Sequence, residues 1–267
     1  MPYRILITND DGVASAGLMA AYEAVKDLGE VFVVAPATQQ SAVGRSMTLF
    51  EPLRVARLSF GDTTAYSVNG TPTDSVIIGM FVIMDRKPDL VISGINIGEN
   101  LSAEAVTTSG TIGAALEAAN QGVPSIAVSM SVEDEGDKFV DTGRLRDYAA
   151  ARHVIRRLAR CVLEGAMPPG ADVLNVNIPG DATNDTPVVS TTLARRMYDT
   201  RVHRRQDPRG RSYYWIDGTV VEDAAEGTDL HVMLKKGHIS VTPLTLDMTA
   251  KAAGAGLDDV LKRAFGK

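Results

Sequence analysis

Two adjacent carboxylates, Asp10 and Asp11, follow the apolar run at residues 5–7 and directly precede Gly12. Adjacent carboxylates repel each other unless a cation or a proton lies between them. Hard divalent cations such as Mg²⁺ and Mn²⁺ are bound by oxygen ligands of this kind. The pair therefore predicts a divalent-metal site and metal-assisted chemistry on an anionic substrate. The alternative interpretation is a solvated turn rich in Asp, Asn and Gly.

Two later loops carry side chains that suit the same site. Ser41 lies in the polar stretch 36–45 and is a candidate oxygen ligand or phosphate donor. Asn96 lies among small and polar residues, where it can offer an amide oxygen to a metal or an NH₂ group to a phosphate. The competing interpretation is an ordinary loop Ser and an Asn in a left-handed turn.

The tripeptide Ser109-Gly110-Thr111 precedes an Ala-rich stretch that is predicted to be a helix. The free N–H groups and the dipole at the amino end of a helix attract anions. The two hydroxyls can add hydrogen bonds to a phosphate, although the Gly-Lys-Ser/Thr of a Walker sequence is absent. A capped helix with small residues for close packing on a sheet explains part of the pattern equally well.

Strands and helices alternate along the part of the chain that must position these residues. The run at residues 5–7, a helix at 16–28 and a strand at 31–35 form a βαβ unit, which implies a parallel sheet with a right-handed crossover. Ligands of such sheets bind beyond the carboxyl ends of the strands, so the candidate residues are expected at one edge. The alternation ends near residue 182. We therefore predict an α/β catalytic core over residues 1–182 and a separate C-terminal part over residues 183–267.

The C-terminal part contains an arginine-rich segment over residues 194–216. Its sequence Asp207-Pro208-Arg209-Gly210 is typical of a type I turn, and the aromatic stretch 213–215 follows. Together they predict a long hairpin arm. Basic residues beside aromatics suit nucleic acid, but an exposed arm rich in Arg, Tyr and Trp more often forms a protein interface. The acidic charge of the whole chain favours the interface.

Composition narrows the classes of function. The chain has 267 residues, a net charge of -6 and a single cysteine, Cys161. The charge argues against broad nucleic-acid binding, whereas a small anionic ligand remains compatible because a bound metal supplies positive charge locally. The single cysteine fits a reducing compartment. With no charged-then-apolar leader and no apolar run of about 20 residues, a cytoplasmic protein without a membrane span is expected.

Several of these motifs also occur together in one known family. Asn9-Asp10-Asp11-Gly12 and Ser93-Gly94-Ile95-Asn96 are specific as a pair, and other matching stretches follow in family order along nearly the whole chain. The matching stretches are 4–12, 35–41, 69–72, 93–100, 109–111 and 240–244. On these residues the chain resembles the SurE family, the survival-protein 5'/3'-nucleotidases.

The resemblance implies a metal-dependent, acid-phosphatase-like enzyme that acts on nucleoside 5'- and 3'-monophosphates. It implies one divalent cation per subunit, Mg²⁺ or Mn²⁺, held by Asp10, Asp11, Ser41 and Asn96. It also implies a Rossmann-like, mostly parallel sheet with helices on both faces. A C-terminal hairpin arm and helix follow, and the arm is exchanged between the subunits of a homodimer, in some members within a tetramer.

The implied chemistry is the hydrolysis of a phosphomonoester by a metal-activated water. A set of polar residues is expected to hold the phosphoryl oxygens: Asn9, Asn96, Ser109, Gly110 and Thr111. Either Asp10 or Asp11 orients or deprotonates the water, and the sequence leaves both open. In one departure from the family pattern, Thr107-Thr108 stand before Ser109 where an aromatic residue is expected, which bears on base or sugar contacts.

Three other functional classes of protein can be compared with the sequence. A receiver-type signalling module needs an acceptor Asp after its third strand and a Lys after its fifth, but the later strands here end in Ser93-Gly94 and Ser129-Met130. A dinucleotide-binding oxidoreductase needs Gly-x-Gly-x-x-Gly after its first strand, where this chain has the two carboxylates. A nucleotide- or phosphate-binding regulatory module without hydrolase activity remains the alternative function.

Overall fold

A computed structural model describes residues 1–132, 146–250 and 254–266. Within these ranges eleven strands form one sheet of nine strands and one of two. The strands are β1 (Arg4–Thr8), β2 (Glu30–Pro36), β3 (Val55–Phe60), β4 (Thr63–Val68), β5 (Leu90–Ile97), β6 (Ser125–Met130), β7 (Val173–Ile178), β8 (Val188–Ser190), β9 (Tyr198–Gln206), β10 (Ser212–Val220) and β11 (Ile239–Leu244). The helices are α1 (Ala16–Val25), α2 (Pro72–Ile78), α3 (Ser102–Thr108), α4 (Gly110–Asn120), α5 (Ala149–Leu163), α6 (Asp229–Lys236) and α7 (Gly254–Phe265).

The large sheet is mostly parallel, as the βαβ pattern predicts. Its strand order is β3-β4-β2-β1-β5-β6-β7-β11-β8. The run from β4 through β7 is parallel throughout, β3 is antiparallel to β4 at one edge, and β11 is antiparallel to β7. The predicted α/β class with a mostly parallel sheet is therefore confirmed.

Strand β1 lies in the middle of the sheet and is covered on both faces. Ile5 and Ile7 pack with α1 and α5 in one apolar cluster, whereas Leu6, between them, packs with α2 and α4 in another. All three side chains are fully buried. Because successive side chains of a strand point to opposite faces, an unbroken apolar run is what a strand between two helical layers requires. The helices accordingly lie on both faces of the sheet.

The C-terminal part of the chain contributes to the same sheet. Strand β11 pairs with β7, and β8 pairs in parallel with β11. The boundary near residue 182 stays a prediction about chain organisation, since strands from both sides of it share one hydrogen-bonded ladder. The sequence offers Thr228 or Asp229 as the cap of a short helix, and α6 is capped by Thr228, whose hydroxyl accepts a hydrogen bond from the His231 N–H.

Two helices differ from the sequence-based expectations. The sequence indicates a helix that is capped by Thr71, with Pro72 at its first position, and that runs to about Met84. In the structure α2 ends at Ile78, and the chain continues as the π-helical turn Gly79–Ile83. Gly79 lies so close to β1 that a Cβ there would be 2.9 Å from Leu6 Cδ1. The helix therefore changes its winding where it touches the sheet.

Helix α3 was not predicted. It begins at Ser102, a non-glycine residue with φ +73°, whose N–H donates to the buried carboxylate of Asp229 at 2.7 Å. Because Asp229 lies 127 residues from Ser102 in the sequence, no local sequence pattern indicates this contact.

The sequence also predicts a solvated acidic loop at residues 131–141. From residue 133 onward this loop lies outside the described part of the chain.

The predicted hairpin arm is present as β9 and β10, which pair only with each other in a two-stranded sheet. Its turn has the expected form, because the Gly210 N–H donates to the Asp207 carbonyl at 2.9 Å. Most side chains on both strands are exposed, including those of Tyr213, Tyr214 and Trp215. In the described parts of the chain, no helix combines the length and apolar character needed to cross a bilayer.

Candidate functional site

The turn after β1 is held in shape by Asn9. Its Nδ2 donates to the Gly12 carbonyl at 3.1 Å and to the Ser15 Oγ at 2.7 Å, while its Oδ1 accepts from the Gly12 N–H at 3.2 Å. Gly12 has φ +98°, and a Cβ there would lie 3.3 Å from the Thr38 carbonyl carbon. Asn9 is fully buried, so its amide is used to build the turn. The predicted contact between Asn9 and a phosphate stays a prediction.

The Asp10 carboxylate faces the amino end of α4. Its Oδ1 accepts a hydrogen bond of 2.6 Å from the Thr111 hydroxyl. A Cβ at Gly110 would lie 2.9 Å from Asp10 Cβ and 3.1 Å from Asp10 Oδ2, so only glycine fits there at this spacing. The structure thus brings Asp10, Gly110 and Thr111 together from positions 101 residues apart.

The Asp11 carboxylate lies beside the carboxyl end of β5. Its Oδ2 accepts from the Ile97 N–H at 3.1 Å. The preceding residue, Asn96, donates from Nδ2 to the Gly98 carbonyl at 2.7 Å. Among the described residues, this arrangement leaves the Asn96 Oδ1 available as an oxygen ligand. Asp11 and Asn96 are therefore neighbours at the edge where the sequence places both of them.

Ser41 reaches the same edge through the loop after β2. The Gln40 N–H donates to the Asp10 carbonyl at 2.7 Å, which fastens this loop to the carboxylate turn one residue before Ser41. The Ser41 side chain is exposed. The backbone of the loop is therefore next to the carboxylate turn, and ligation of a cation by the Ser41 hydroxyl stays a prediction.

The hydroxyl of Ser109 caps α4. Its Oγ accepts from the Ile112 N–H at 3.2 Å, as in an ordinary N-cap. Because the oxygen is the acceptor in this bond, the hydroxyl proton can still be donated to an anion. The helix spans 11 residues, and its amino end lies against Asp10. The phosphate-binding role of Ser109, Gly110 and Thr111 is compatible with this position and stays a prediction.

Burial changes the acidity of both carboxylates. Burial raises the pKa of Asp10 to about 6, against the lowering effect of the Thr111 hydrogen bond. Burial and the neighbouring Asp10 charge raise the pKa of Asp11 to about 7, against the lowering effect of the Ile97 N–H and the Arg146 charge. Burial is the largest cause of both shifts, and only the pKa of Asp11 is raised further by the charge of its neighbour.

The chemistry of these donors fits a hard divalent cation. Carboxylate, amide and hydroxyl oxygens are the ligands that Mg²⁺ and Mn²⁺ prefer, and a cation would offset the cost of two buried charges. Within residues 1–132, 146–250 and 254–266, no group of three His, Cys, Asp or Glu side chains is placed to hold a metal. A cation here would therefore need Asn96, Ser41, water or substrate oxygens beside the two carboxylates.

The charge pair leads to a testable stability effect. A carboxyl whose pKa is raised by folding contributes stability that is complete below its unfolded pKa near 3.8 and is lost as the pH rises through about 7. We therefore expect metal-free Asp11→Asn to be more stable than the parent near pH 8 by about 2 kcal/mol, less than the full shift because solvent screens the partly buried carboxylate. Near pH 4 the two proteins should unfold alike.

Urea denaturation in the presence of a chelator measures this difference at both pH values. Asp27→Asn is the matched control, because Asp27 is an exposed carboxylate paired with Arg156, its pKa is lowered chiefly by the Arg156 hydrogen bond, and it follows α1 at the opposite edge of the sheet. Its stability should not rise at high pH. An Asp11→Asn protein that is less stable than the parent near pH 8 would contradict the repulsion between the two carboxylates.

A buried network that sequence reasoning missed holds the loop after β5. The Asn100 N–H donates to Asn177 Oδ1 at 2.7 Å, and Asn100 Nδ2 donates to Ser129 Oγ at 2.8 Å. The Asn100 carbonyl in turn accepts from Asn175 and Asn177. The available signal was the pair Asn175 and Asn177, two amides inside an otherwise apolar strand. Arg146 was also missed, because its neighbourhood in the sequence carries no motif.

Comparisons with known proteins identify a family and several relatives. A family model described as Survival protein SurE matches residues 5–200. A protein of Methanocella arvoryzae named 5'-nucleotidase SurE is 71% identical over 251 residues, 94% of each chain. A protein of Methanosarcina mazei with the same name is 56% identical over 253 residues, 93% of this chain and 94% of that protein.

A solved structure extends the comparison to three dimensions. The crystal structure of the SurE protein from Aquifex aeolicus matches with a TM-score of 0.79 and 37% sequence identity. The match covers 96% of this chain and 99% of that chain. The similarity therefore includes the C-terminal part of the chain as well as the sheet.

Proposed function

Because the chain belongs to the survival protein SurE family, we propose that it is a 5'-nucleotidase that hydrolyses nucleoside monophosphates to a nucleoside and inorganic phosphate. One observation of the structure carries the proposal. The buried Asp10 carboxylate, next in sequence to the half-buried Asp11, lies directly against the amino end of α4. This contact supports a cation site and an anion site next to each other, as the hydrolysis of a phosphomonoester requires.

In this proposal Asp10, Asp11, Ser41 and Asn96 would hold one divalent cation, Mg²⁺ or Mn²⁺. When bound, the cation supplies Lewis-acid polarisation of a phosphoryl oxygen and lowers the pKa of a coordinated water. The donor set described above supports this assignment. In this proposal the cation alone provides the Lewis-acid chemistry.

The residues of the chain bind and orient the phosphate. The amino end of α4, with the Ser109 hydroxyl and the backbone N–H groups of Gly110 and Thr111, suits the remaining phosphoryl oxygens. Either Asp10 or Asp11 would also orient or deprotonate the attacking water. At Asp11 the oxygen that remains for this task is Oδ1, because Oδ2 accepts from the Ile97 N–H.

A phosphate-release screen tests the function. Nucleoside 5'- and 3'-monophosphates are incubated with the protein as purified, with chelator, and with chelator followed by added Mg²⁺ or Mn²⁺. We expect release that the chelator stops and a divalent cation restores. Nucleotide binding without release under any condition would instead support a regulatory module.

Thr111 links the cation site to the phosphate site. Its hydroxyl donates to Asp10, so Thr111→Val should raise the pKa of Asp10 further and weaken cation binding near pH 6 more than near pH 8. The loss of a hydrogen bond to a charged group corresponds to about 1.5–3 kcal/mol, tenfold or more in affinity. Isothermal titration with Mn²⁺ at the two pH values measures the effect.

Ser109→Ala is the matched variant for this experiment. Its hydroxyl caps α4 and has no hydrogen bond to Asp10, so it should weaken inorganic phosphate binding and leave the pH dependence of cation binding unchanged. The lost cap should also lower stability by about 1 kcal/mol. Equal effects of both substitutions on cation binding would show that the two sites are not separate.

We propose further that the subunits form a homodimer, or a tetramer built from dimers, through exchange of the hairpin arm. The register of β9 and β10 places Val202, Tyr214 and Ile216 on one face of the hairpin, where each is at least 60% exposed. A two-stranded hairpin is marginally stable in water, and such an apolar face indicates an interaction surface. The single cysteine supports a reducing compartment, and we place the enzyme in the cytoplasm.

A further inference from the structure

The segment over residues 44–50, called the rim segment here, begins at the proposed phosphate site. The Gly44 N–H donates to the Thr108 carbonyl at 2.8 Å. A Cβ at Gly113 would lie 2.3 Å from the Gly44 carbonyl oxygen, so the backbone of the rim segment rests directly on the first turn of α4. Arg45 then forms an ion pair of 2.7 Å with Glu117, which is almost fully buried. One end of the rim segment is therefore fastened beside the proposed phosphate site.

The other end is fastened to the amino end of α2. The Thr71 hydroxyl donates to the Ser46 carbonyl at 2.7 Å. Thr48 donates to the Asp74 carboxylate through its N–H at 2.9 Å and through its hydroxyl at 2.6 Å. Helices α2 and α4 pack in the same apolar cluster. Since neighbouring helices lie about 8–10 Å apart, the rim segment extends roughly that far from the phosphate site along the carboxyl edge.

This fastened backbone carries an exposed apolar surface. Met47 is 46% exposed, Leu49 is 72% exposed and Phe50 is 98% exposed. Isolated exposed apolar side chains are common, but here three fall within four residues, one between the fastened residues Ser46 and Thr48 and two directly after them. Such a concentration of apolar side chains is typical of a surface that binds ligands. Thr107 and Thr108, the exposed residues immediately before the phosphate site, offer no aromatic surface.

We propose that the rim segment is the surface on which the base of the nucleoside monophosphate stacks while its phosphate lies at α4. The inference rests on the proposed function and deepens it, because it names the part of the substrate that this surface recognises. Every nucleobase has a planar face that stacks on aromatic and apolar side chains, without requiring particular hydrogen bonds. A surface of Met, Leu and Phe therefore favours nucleotides over phosphate esters that lack a base, with little discrimination between bases.

The test compares adenosine 5'-monophosphate with ribose 5-phosphate, which keeps the sugar and phosphate and lacks the base. For Phe50→Ala and Leu49→Ser, we expect kcat/KM for the nucleotide to fall about tenfold, while the value for ribose 5-phosphate stays unchanged. Phe50→Tyr should retain the parent's ratio of kcat/KM for adenosine 5'-monophosphate to kcat/KM for ribose 5-phosphate. Equilibrium binding of the two compounds gives the same comparison without turnover, so it tests the surface even if hydrolysis fails.

Phe81→Ala is the control, because Phe81 is 56% exposed and lies in the π-helical turn, which precedes β5 at the opposite edge of the sheet. This substitution should leave kcat/KM unchanged for both substrates. An unchanged ratio for Phe50→Ala and Leu49→Ser would overturn the inference while leaving the nucleotidase intact. An unchanged ratio together with an altered molar mass would assign the rim segment to an interface between copies of the chain. Absence of hydrolysis in the parent, with binding that still depends on Phe50, would contradict the proposed function alone.

Discussion

Asp10→Asn and Asp11→Asn should each lower phosphatase activity about 1,000-fold or more, because the metal effects that depend on these carboxylates contribute several kcal/mol to the barrier. The fold should remain intact. Asn preserves the acceptor oxygen that Thr111 donates to at position 10 and the one that Ile97 donates to at position 11. The expected result is thus a folded protein with the circular dichroism spectrum of the parent and no measurable phosphate release.

The assay is phosphate release at saturating Mg²⁺ or Mn²⁺, with circular dichroism as the check on folding. Asp27→Asn again serves as the control, since its carboxylate pairs with Arg156 away from the site and the substitution should leave activity unchanged. If either variant at position 10 or 11 keeps most of its activity at saturating metal, the assignment of the carboxylate pair to the cation is wrong.

Removing the hairpin arm should convert the proposed oligomer into a monomer with a folded core. Thr200 pairs with Gly218, and the next pair outward is Asp199 with Thr219. Deleting residues 200–218 therefore leaves two chain ends that are already neighbours, and a short Gly/Ser linker can join them without strain. The apolar face formed by Val202, Tyr214 and Ile216 is removed, and with it the surface that we assign to the partner subunit.

Light scattering gives the molar mass of the deletion variant. A second variant with Gln in place of Arg204, Arg205, Arg209 and Arg211 keeps the apolar face and should keep the oligomer. The rival hypothesis, a nucleic-acid arm, predicts that both variants lose salt-dependent RNA or DNA binding and that the deletion leaves the oligomer unchanged. An unchanged molar mass after the deletion would remove the interface hypothesis.

The layered α/β fold could be predicted from the sequence because its signals are local. The run at residues 5–7 is apolar without interruption, which only a strand covered on both faces requires. The hairpin was predictable for the same reason, since Asp207, Pro208 and Gly210 each satisfy a backbone requirement of one turn. The π-helical turn after α2 was not predictable from the sequence. It lies where Gly79 contacts Leu6 of β1, and these two residues are far apart in the sequence.

By itself, the sequence determined that two carboxylates end a central strand, that a polar loop and an asparagine follow neighbouring strands, and that small residues open α4. Parallel strands bring their carboxyl ends to one edge, so these residues could be expected together. Only the tertiary structure decided which atoms meet: Thr111 with Asp10, Ile97 with Asp11, and Asn9 with its own turn. Partners separated by 86 or 101 residues are chosen by how crossover helices pack on the sheet, and no short-range periodicity records that packing.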